Sequence, residues 1–317
     1  MILFIILLSL AIFLVFRFRF VSRDDYRSIK SPSFLRVNID EKNQDSGSSY
    51  FAGKTIVICA LVRDAAKNLD QTLSRVYNLV YLFKDYRIVI LENDSKDQTR
   101  EILLAHANND PKFIVLGCGI NAKECKLNLP ETDYVNGAMS NERISKMVNL
   151  RNQYLDFVET KFGLFDLMAV WDLDINGHVY LDGVLDTGAL FSADETQAET
   201  SGIFKVDGVA AQGFRLVECF GGSFLTYGDS YAYMDKSLRD WPKWTRALFL
   251  SSFPGYPYKT QPVESAFNGL AFYRIKSLKG KRYGTRIDEH GEVVCEHREL
   301  HKGLNLWVNQ RMVHIMI

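Results

Sequence analysis

From Lys54 to Trp171 the chain alternates short, apolar, β-branched runs with amphipathic stretches of helical period, and this alternation restricts the fold more than any other feature. Thr55-Ile56-Val57-Ile58-Cys59-Ala60-Leu61-Val62 has the composition of a strand buried on both faces. A helix is predicted over about Asn68 to Phe83, because Leu69, Leu73, Val76, Leu79, Val80 and Phe83 share one face. Tyr86-Arg87-Ile88-Val89-Ile90-Leu91 is a second strand, followed by a polar loop, a helix through about His106 and a third strand at Phe113-Ile114-Val115-Leu116. Ile144, Met147, Val148, Leu155 and Val158 mark another amphipathic helix, and Leu167-Met168-Ala169-Val170-Trp171 a strand that ends in Asp172. Strands that alternate with helices need right-handed crossovers, so an α/β, Rossmann-type, mixed but mainly parallel sheet flanked by helices is expected. Ligands of such sheets gather beyond the carboxyl ends of the strands, which puts the loops after Val62 and Leu91 at the binding edge.

The chain has 317 residues, 47% of them hydrophobic, enough to bury one large core or two modest ones. Lysine plus arginine and aspartate plus glutamate both total 38, and there is no long basic block, which argues against a nucleic-acid partner. The odd cysteine count, five, leaves at least one unpaired and does not decide the compartment. Ile2 to Phe16 is an unbroken apolar run followed by Arg17, Arg19 and Arg23; with Phe18, Phe20 and Val21 it approaches the ~20 residues that a bilayer span needs. Residues 1–21 are therefore expected to form a signal-anchor in the membrane. A cleaved signal peptide is the rival, but no small-x-small site follows the run. Residues 22–53, polar and without sustained hydrophobic period, are expected as a flexible stem, and 54–317 as the folded domain.

Asp172-Leu173-Asp174 stands where a hydrophobic strand meets a turn, and in extended chain residues two apart face the same side. Two convergent carboxylates repel unless a cation joins them, and hard oxygen ligands suit Mn2+ or Mg2+ together with diphosphate oxygens. A plain surface turn is the bland alternative. Glu92, Asn93 and Asp94, at another strand end, are candidates to hydrogen-bond a base and ribose edge, while Asp94, Ser95 or Asp97 can equally cap the helix that follows. The trio Asn93-Asp94-Ser95 also matches an N-glycosylation acceptor.

Ala60-Leu61-Val62-Arg63-Asp64, Leu91-Glu92-Asn93-Asp94-Ser95-Lys96-Asp97-Gln98-Thr99 and Trp171-Asp172-Leu173-Asp174 together resemble the GT-A class of glycosyltransferases. Arg143-Ile144, Met147 and Leu150-Arg151-Asn152 resemble a helix of the fungal capsule-associated α-1,3-mannosyltransferase family, and Tyr227-Gly228-Asp229-Ser230-Tyr231-Ala232 is similar to its Tyr-x-Asp-Ser/Thr segment. Glu264-Ser265-Ala266-Phe267-Asn268-Gly269 is similar to its Ser-Cys-Trp-Asn-Gly, and Cys295-Glu296-His297 with Leu300-His301-Lys302 to its Ser-Glu-Cys and Leu-Cys-Lys. Phe267 replaces the family's tryptophan, His297 and His301 its cysteines, and Asp-Leu-Asp an Asn-Asp-Val type of motif. The resemblance implies a metal-dependent transferase with a nucleotide-sugar donor, GDP-mannose or a UDP-sugar, and a glycan or glycoconjugate acceptor. It also implies a luminal Golgi or endoplasmic-reticulum domain, whereas the arginines after the apolar run favour a cytosolic one.

Under this resemblance Arg63, Glu92, Asn93, Asp94, Arg151, Asp172 and Asn268 would bind the nucleotide sugar, Arg151 at the diphosphate or else paired with a carboxylate of its own helix. Asn268-Gly269 can also be a plain turn. An inverting enzyme needs a base for the acceptor hydroxyl, Asp229 or Glu264; a retaining one, which the resemblance implies, does not. Two aspartates leave a six-coordinate ion short of ligands, and His297 is expected to complete the set with Asp172 and Asp174 because it follows the strand predicted at Glu292-Val293-Val294-Cys295. Trp241, Trp244, Phe249, Phe253, Tyr256 and Tyr258 either stack on sugar rings or cover the core. A strand ending in Asp-Leu-Asp also suits a haloacid-dehalogenase-type phosphohydrolase, and a non-catalytic glycan-binding protein is the third reading.

Overall fold

The computed structural model describes residues 19–20, 39–127, 140–175, 177–219, 222–252, 259–289 and 291–316. Apart from the two-residue strand β1 (Arg19–Phe20), the segment expected as a signal-anchor lies outside these residues. Among the described residues no helix is long and apolar enough to cross a membrane.

The stretch expected as a stem is ordered in its second part, which forms helix α1 (Glu41–Ala52). Asp40 caps it, accepting from the Lys42 amide at 3.2 Å. Tyr50 and Phe51 are buried in the core, and α1 packs on helix α5 (Leu181–Ser201) so closely that a Cβ on Gly47 would sit 1.8 Å from the Leu185 carbonyl oxygen. Among the described residues the packed body thus includes Ile39 and α1, both before Lys54. Its composition hides this, because α1 buries only Gly47, Tyr50 and Phe51.

The strands and helices predicted between Lys54 and Trp171 form at or near their expected positions. Strands β2 (Thr55–Val62), β3 (Asp85–Glu92), β4 (Phe113–Leu116) and β5 (Leu167–Trp171) are linked through helices α2 (Ala66–Val80), α3 (Thr99–Asn109) and α4 (Asn141–Phe162). Ile56, Ile58, Ala60 and Val62 pack with Leu69, Leu73 and Val76 of α2, while Val57 and Cys59 pack with Leu150 and Tyr154 of α4. Burial on both faces is the reason that β2 is apolar without alternation.

The sheet runs in the order β4-β3-β2-β5-β9-β6-β7-β1, with β10 (Leu306–Met316) beside β6 and β8 (Gln261–Val263) beside β10. Pairing is parallel from β4 to β5 and between β10 and β6. It is antiparallel where β9 (Leu270–Arg274), β6 (Gly208–Cys219) and β7 (Gly222–Tyr227) extend the sheet. The sheet is therefore mixed, and the expectation of a mainly parallel one holds for its N-terminal half only. β6 and β7 follow each other too closely in sequence for a parallel crossover, which takes a dozen or more residues.

Two consequences of this topology place the site. From β2 the chain proceeds to β3 on one side, whereas β5 lies on the other, so the loops after β2 and β5 diverge and leave a crevice at a topological switch point. On the far side β6 passes the level where β9 begins, and β7 returns beside it, pairing Tyr227 with Phe214. This return brings Gly228 and Asp229 back to the start of β9, beside Asn268. The predicted strand at Glu292–Cys295 does not form; Val293 makes an isolated bridge to Ile287, and Cys295 leads directly into the short helix α8 (Glu296–Leu300).

Candidate active site

The ends of β2 and β3 are level, since Val62 pairs with Glu92. Each strand continues for one residue and then turns through an aspartate in the left-handed region, Asp64 and Asp94, both at φ 50°. Short polar side chains tolerate that conformation by bonding locally, and these do. Asp64 accepts from the Lys96 amide at 2.6 Å, and Asp94 from the Leu127 amide at 2.6 Å. Asp97 takes the capping role, accepting from the Thr99 amide at 3.0 Å and, from α2, the Ala66 amide at 3.0 Å. One carboxylate thus joins the starts of two helices. Cys118 and Cys125 form a disulfide within the loop that follows β4.

A pocket of about 690 Å³ opens over the switch point. Arg63 and Asp64 line it from the end of β2, Asn93 from β3, and Asp172 and Asp174 from β5. Between the two aspartates Leu173 is buried, which anchors the turn while its neighbours remain available to the pocket. Helix α4 contributes Arg143, Lys146, Met147, Leu150 and Arg151, a spacing that lays them on one helical face. Asp229, Phe267, Glu296 and His297 close the opposite side.

Arg151, 3% exposed, organises the floor. It donates to Glu296 Oε1 at 3.1 Å, to Asp172 Oδ1 at 3.3 Å and to the Tyr154 hydroxyl at 3.2 Å, and its guanidinium lies over the rings of Phe267 and Tyr283. It therefore pairs with carboxylates of β5 and α8 rather than with one of its own helix. Burial pushes the Asp172 carboxyl up to about 7 against the pull of Arg151, and Asp174 and Asp229 add to the rise. Burial also raises the Asp229 carboxyl, reinforced by the charge of Glu296.

Asp229 is held at both ends. Its amide donates to Asn268 Oδ1 at 3.1 Å, and its Oδ1 accepts from the Ala232 amide at 3.1 Å. Asn268, fully buried at φ 55°, donates to the Ala211 carbonyl and the Tyr227 hydroxyl, both at 2.7 Å. Its carboxamide is thus spent within the protein, and Asn268 shapes the pocket without being placed to bind a nucleotide sugar. Gly213 lies where a Cβ would come within 2.7 Å of the Asn268 Cβ, so only glycine admits this approach.

Other predicted site residues are also engaged elsewhere. Glu92 is buried and accepts from the Ser95 amide at 2.6 Å and from Arg100, outside the pocket wall. Glu264 pairs with Arg239 and lines a different pocket. Asn93, 8% exposed, differs: its Oδ1 has no hydrogen-bond partner among the described residues. The residues that sequence reasoning passed over are Lys146 and Glu296. Lys146 was traceable through its helical spacing from Arg143 and Leu150; Glu296, the buried partner of Arg151, stands in the segment Cys295-Glu296-His297 that carries part of the resemblance, but no role was assigned to it.

For a divalent ion, Asp172 and Asp174 offer crowded carboxylates of the right kind, both raised in pKa by burial, a rise that a bound cation would offset. Among the described residues no three His, Cys, Asp or Glu side chains converge into a ligand set. His297 lines the same pocket, but its ring lies flat on Phe267 with centroids 3.9 Å apart and does not complete such a set in this conformation. Neither of its ring nitrogens has a hydrogen-bond partner among the described residues, and burial together with Arg151 keeps the ring neutral. The acidic pair fits a divalent ion provided that ligand oxygens supply the remaining coordination.

Residues 55–123 match the model of Glycosyl transferase family 2. The match spans β2 to β4, including the loops at Asp64 and Asp94, so this part of the chain is similar to family 2 glycosyltransferases; Asp172, Asp229 and His297 lie beyond it. Among curated proteins none matches the chain. Residues 1–349 of TarS from S. aureus are similar in structure with TM-score 0.44 and 12% identity, over 83% of this chain and 60% of that one. The mannosyltransferase PcManGT from Pyrobaculum calidifontis, in complex with GDP-Man and Mn2+, has TM-score 0.45 and 11% identity over 84% of this chain and 57% of its own. TarS in complex with UDP-GlcNAc gives TM-score 0.42 and 12% identity over 82% and 58%. The chain spans less than two thirds of each of these structures.

Proposed function

We propose that the chain is a glycosyltransferase that moves a sugar, mannose before other candidates, from a nucleotide-sugar donor to a glycan or glycoconjugate acceptor. One observation carries this reading: Asp172 and Asp174 stand at the switch point of the sheet, beside loops of the family 2 segment, in a pocket also lined by Arg63, Arg143, Lys146 and Arg151. Carboxylates for a cation and cations for a diphosphate are what a nucleotide-sugar site requires.

In this reading Asp172 and Asp174 hold Mn2+ or Mg2+, which when bound neutralises the leaving diphosphate. Arg143 and Lys146 contribute positive charge from α4 to the same oxygens. Arg151, already paired with Asp172 and Glu296, fixes the direction of the Asp172 carboxylate. The unpartnered Oδ1 of Asn93 accepts an N–H of the nucleobase at the end of β3. Asp229, raised in pKa and clamped by the Asn268 carboxamide, takes the proton of the acceptor hydroxyl, which favours inversion over the retaining outcome. His297 joins the ion only by leaving its stack on Phe267. The apolar run Ile2 to Phe16 anchors the protein with this domain in the lumen of the Golgi or endoplasmic reticulum; digestion of the domain by protease in sealed microsomes without detergent would refute that orientation.

The test is a thermal-shift screen of the full chain against GDP-mannose and UDP-GlcNAc with Mn2+, accompanied by hydrolysis of each donor. A ligand present at 100 times its Kd stabilises the native state by about 2.7 kcal/mol. Metal-dependent stabilisation and slow donor hydrolysis are expected. Hydrolysis of simple phosphate esters in their place points to a phosphohydrolase, and the absence of all three to a non-catalytic binding protein.

A further inference from the structure

A second pocket, of about 590 Å³, shares helix α8 with the first. Glu296 and His297 line the donor pocket, whereas Arg298 and His301 line this one, and the rings of His297 and His301 lie 5.7 Å apart between centroids, so the two pockets are neighbours along α8. Tyr231 also stands between them, lining the donor pocket while its hydroxyl donates to the Val293 carbonyl at 2.7 Å.

The second pocket is lined by five cationic side chains and by the carboxylates Asp240, Glu264, Asp288 and Glu289; three of the cations are paired, Arg239 with Glu264, and both Arg286 and Lys302 with Glu299. The remaining two are not. Arg246, on helix α6 (Lys243–Ser252) and 4% exposed, and Arg298, half-buried, have no carboxylate within 4.0 Å among the described residues. Arg246 Nε has no hydrogen-bond partner there either. Burial lowers the pKa of both guanidinium groups, and a neighbouring arginine adds to each shift, Arg298 for Arg246 and Arg286 for Arg298. Glu292 and Asp288 act on Arg246, and Asp288 and Glu264 on Arg298, only from beyond pairing distance, and Asp288 Oδ1 already accepts from the Glu292 amide at 2.9 Å. Two poorly solvated cations without a carboxylate at pairing distance are costly to maintain unless an anion completes them. Trp241, 40% exposed, stands at the wall of the same pocket, with Trp244, 67% exposed, near it in sequence. An indole face beside a guanidinium fork suits a sugar ring that carries a planar or tetrahedral anion.

We propose that this pocket is the acceptor subsite and selects a glycan bearing an anionic group, a phosphate or a uronate carboxylate, gripped by Arg246 and Arg298 with its ring on Trp241. The inference rests on the glycosyltransferase reading for the word acceptor, but the anion site stands on its own geometry.

The test measures binding of mannose 6-phosphate, methyl glucuronide, neutral methyl mannoside and inorganic phosphate to the full chain and to its Arg298→Gln, Arg246→Met and Trp241→Ala variants. At least one anionic sugar should bind more tightly than methyl mannoside, and whichever does so identifies phosphate or carboxylate as the group. Arg298→Gln, whose side chain is half-buried and tolerates replacement, should weaken that binding about tenfold, the loss of one charge-assisted bond, with Mn2+-dependent GDP-mannose binding unchanged. Trp241→Ala should weaken the anionic sugar and not inorganic phosphate. Equal binding of charged and neutral sugars, inorganic phosphate as tight as the sugar anion, or no effect of Arg298→Gln overturns the proposal even if Arg246→Met fails to fold. If the wild type binds the anionic sugar and no nucleotide sugar, the anion site survives and the glycosyltransferase reading fails.

Discussion

Replacing Arg151 by methionine should destabilise the protein strongly, and in a pH-dependent way. The side chain is 3% exposed and serves two carboxylates, Glu296 at 3.1 Å and Asp172 at 3.3 Å. Removing one member of a buried ion pair costs about 3–5 kcal/mol, because the other charge is left without compensation. The Asp172 side chain retains 26% exposure, and methionine refills part of the volume, so about 3 kcal/mol is expected at pH 8. The sign of the pH effect follows from Asp172, raised from 3.8 to about 7 while Arg151 still pulls it down. A carboxyl with a raised native pKa holds its proton more tightly when folded. Its destabilising contribution is absent below the unfolded value, grows as pH rises between the two values and is complete above the native one. Without Arg151 the native value rises further, so the loss at pH 8 should exceed that at pH 5. Urea denaturation followed by tryptophan fluorescence at both pH values measures the difference. A loss below about 1 kcal/mol at pH 8, or the same loss at both values, would refute the placement of Arg151 as the counterion of this floor.

Asp174→Asn should abolish Mn2+-dependent donor binding while leaving the apo melting temperature within about 2 °C of the wild type, since the residue serves the ligand more than the core; a thermal-shift series with and without Mn2+ checks both. Because the Asp172 carboxyl is raised to about 7, Mn2+ must displace a proton below that pH, and its affinity should fall about fivefold from pH 7 to 6, measured by calorimetry; a flat profile contradicts the assignment. Asn268→Ala removes bonds to Ala211, Tyr227 and Asp229 and puts alanine at φ 55°, so a loss of about 3 kcal/mol in urea and a fall in turnover from the released Asp229 are expected. A chain beginning at Ile39 should fold, whereas one beginning at Lys54 loses the buried Tyr50 and Phe51, worth about 5 kcal/mol, and should bind a hydrophobic dye and lose its cooperative melt.

What the sequence determined by itself is the part of the protein whose burial is written in local period. β2, β4 and β5 lie at their predicted residues, β3 nearly so, and the strand–helix alternation sufficed to send the loops after Val62 and Leu91, and the acidic pair at Asp172, to one edge of a sheet. Such features survive translation because a buried parallel strand must be apolar on both faces and an amphipathic helix must repeat every 3.6 residues, whatever lies around them. Helix α1 escaped notice because it docks through a glycine and two aromatic residues on an otherwise polar surface, and a close approach at Gly47 depends on where α5 lies. Only the tertiary structure decided which polar residues meet. Arg151 and Glu296 are 145 positions apart, and Asp229 reaches Asn268 only because β7 doubles back along β6. The same antiparallel extension set Glu264 against Arg239 and laid His297 on Phe267. A hydrogen bond or an ion pair has no period; its partners are chosen by the packing of elements distant in sequence, and that packing is settled only when the whole sheet has formed.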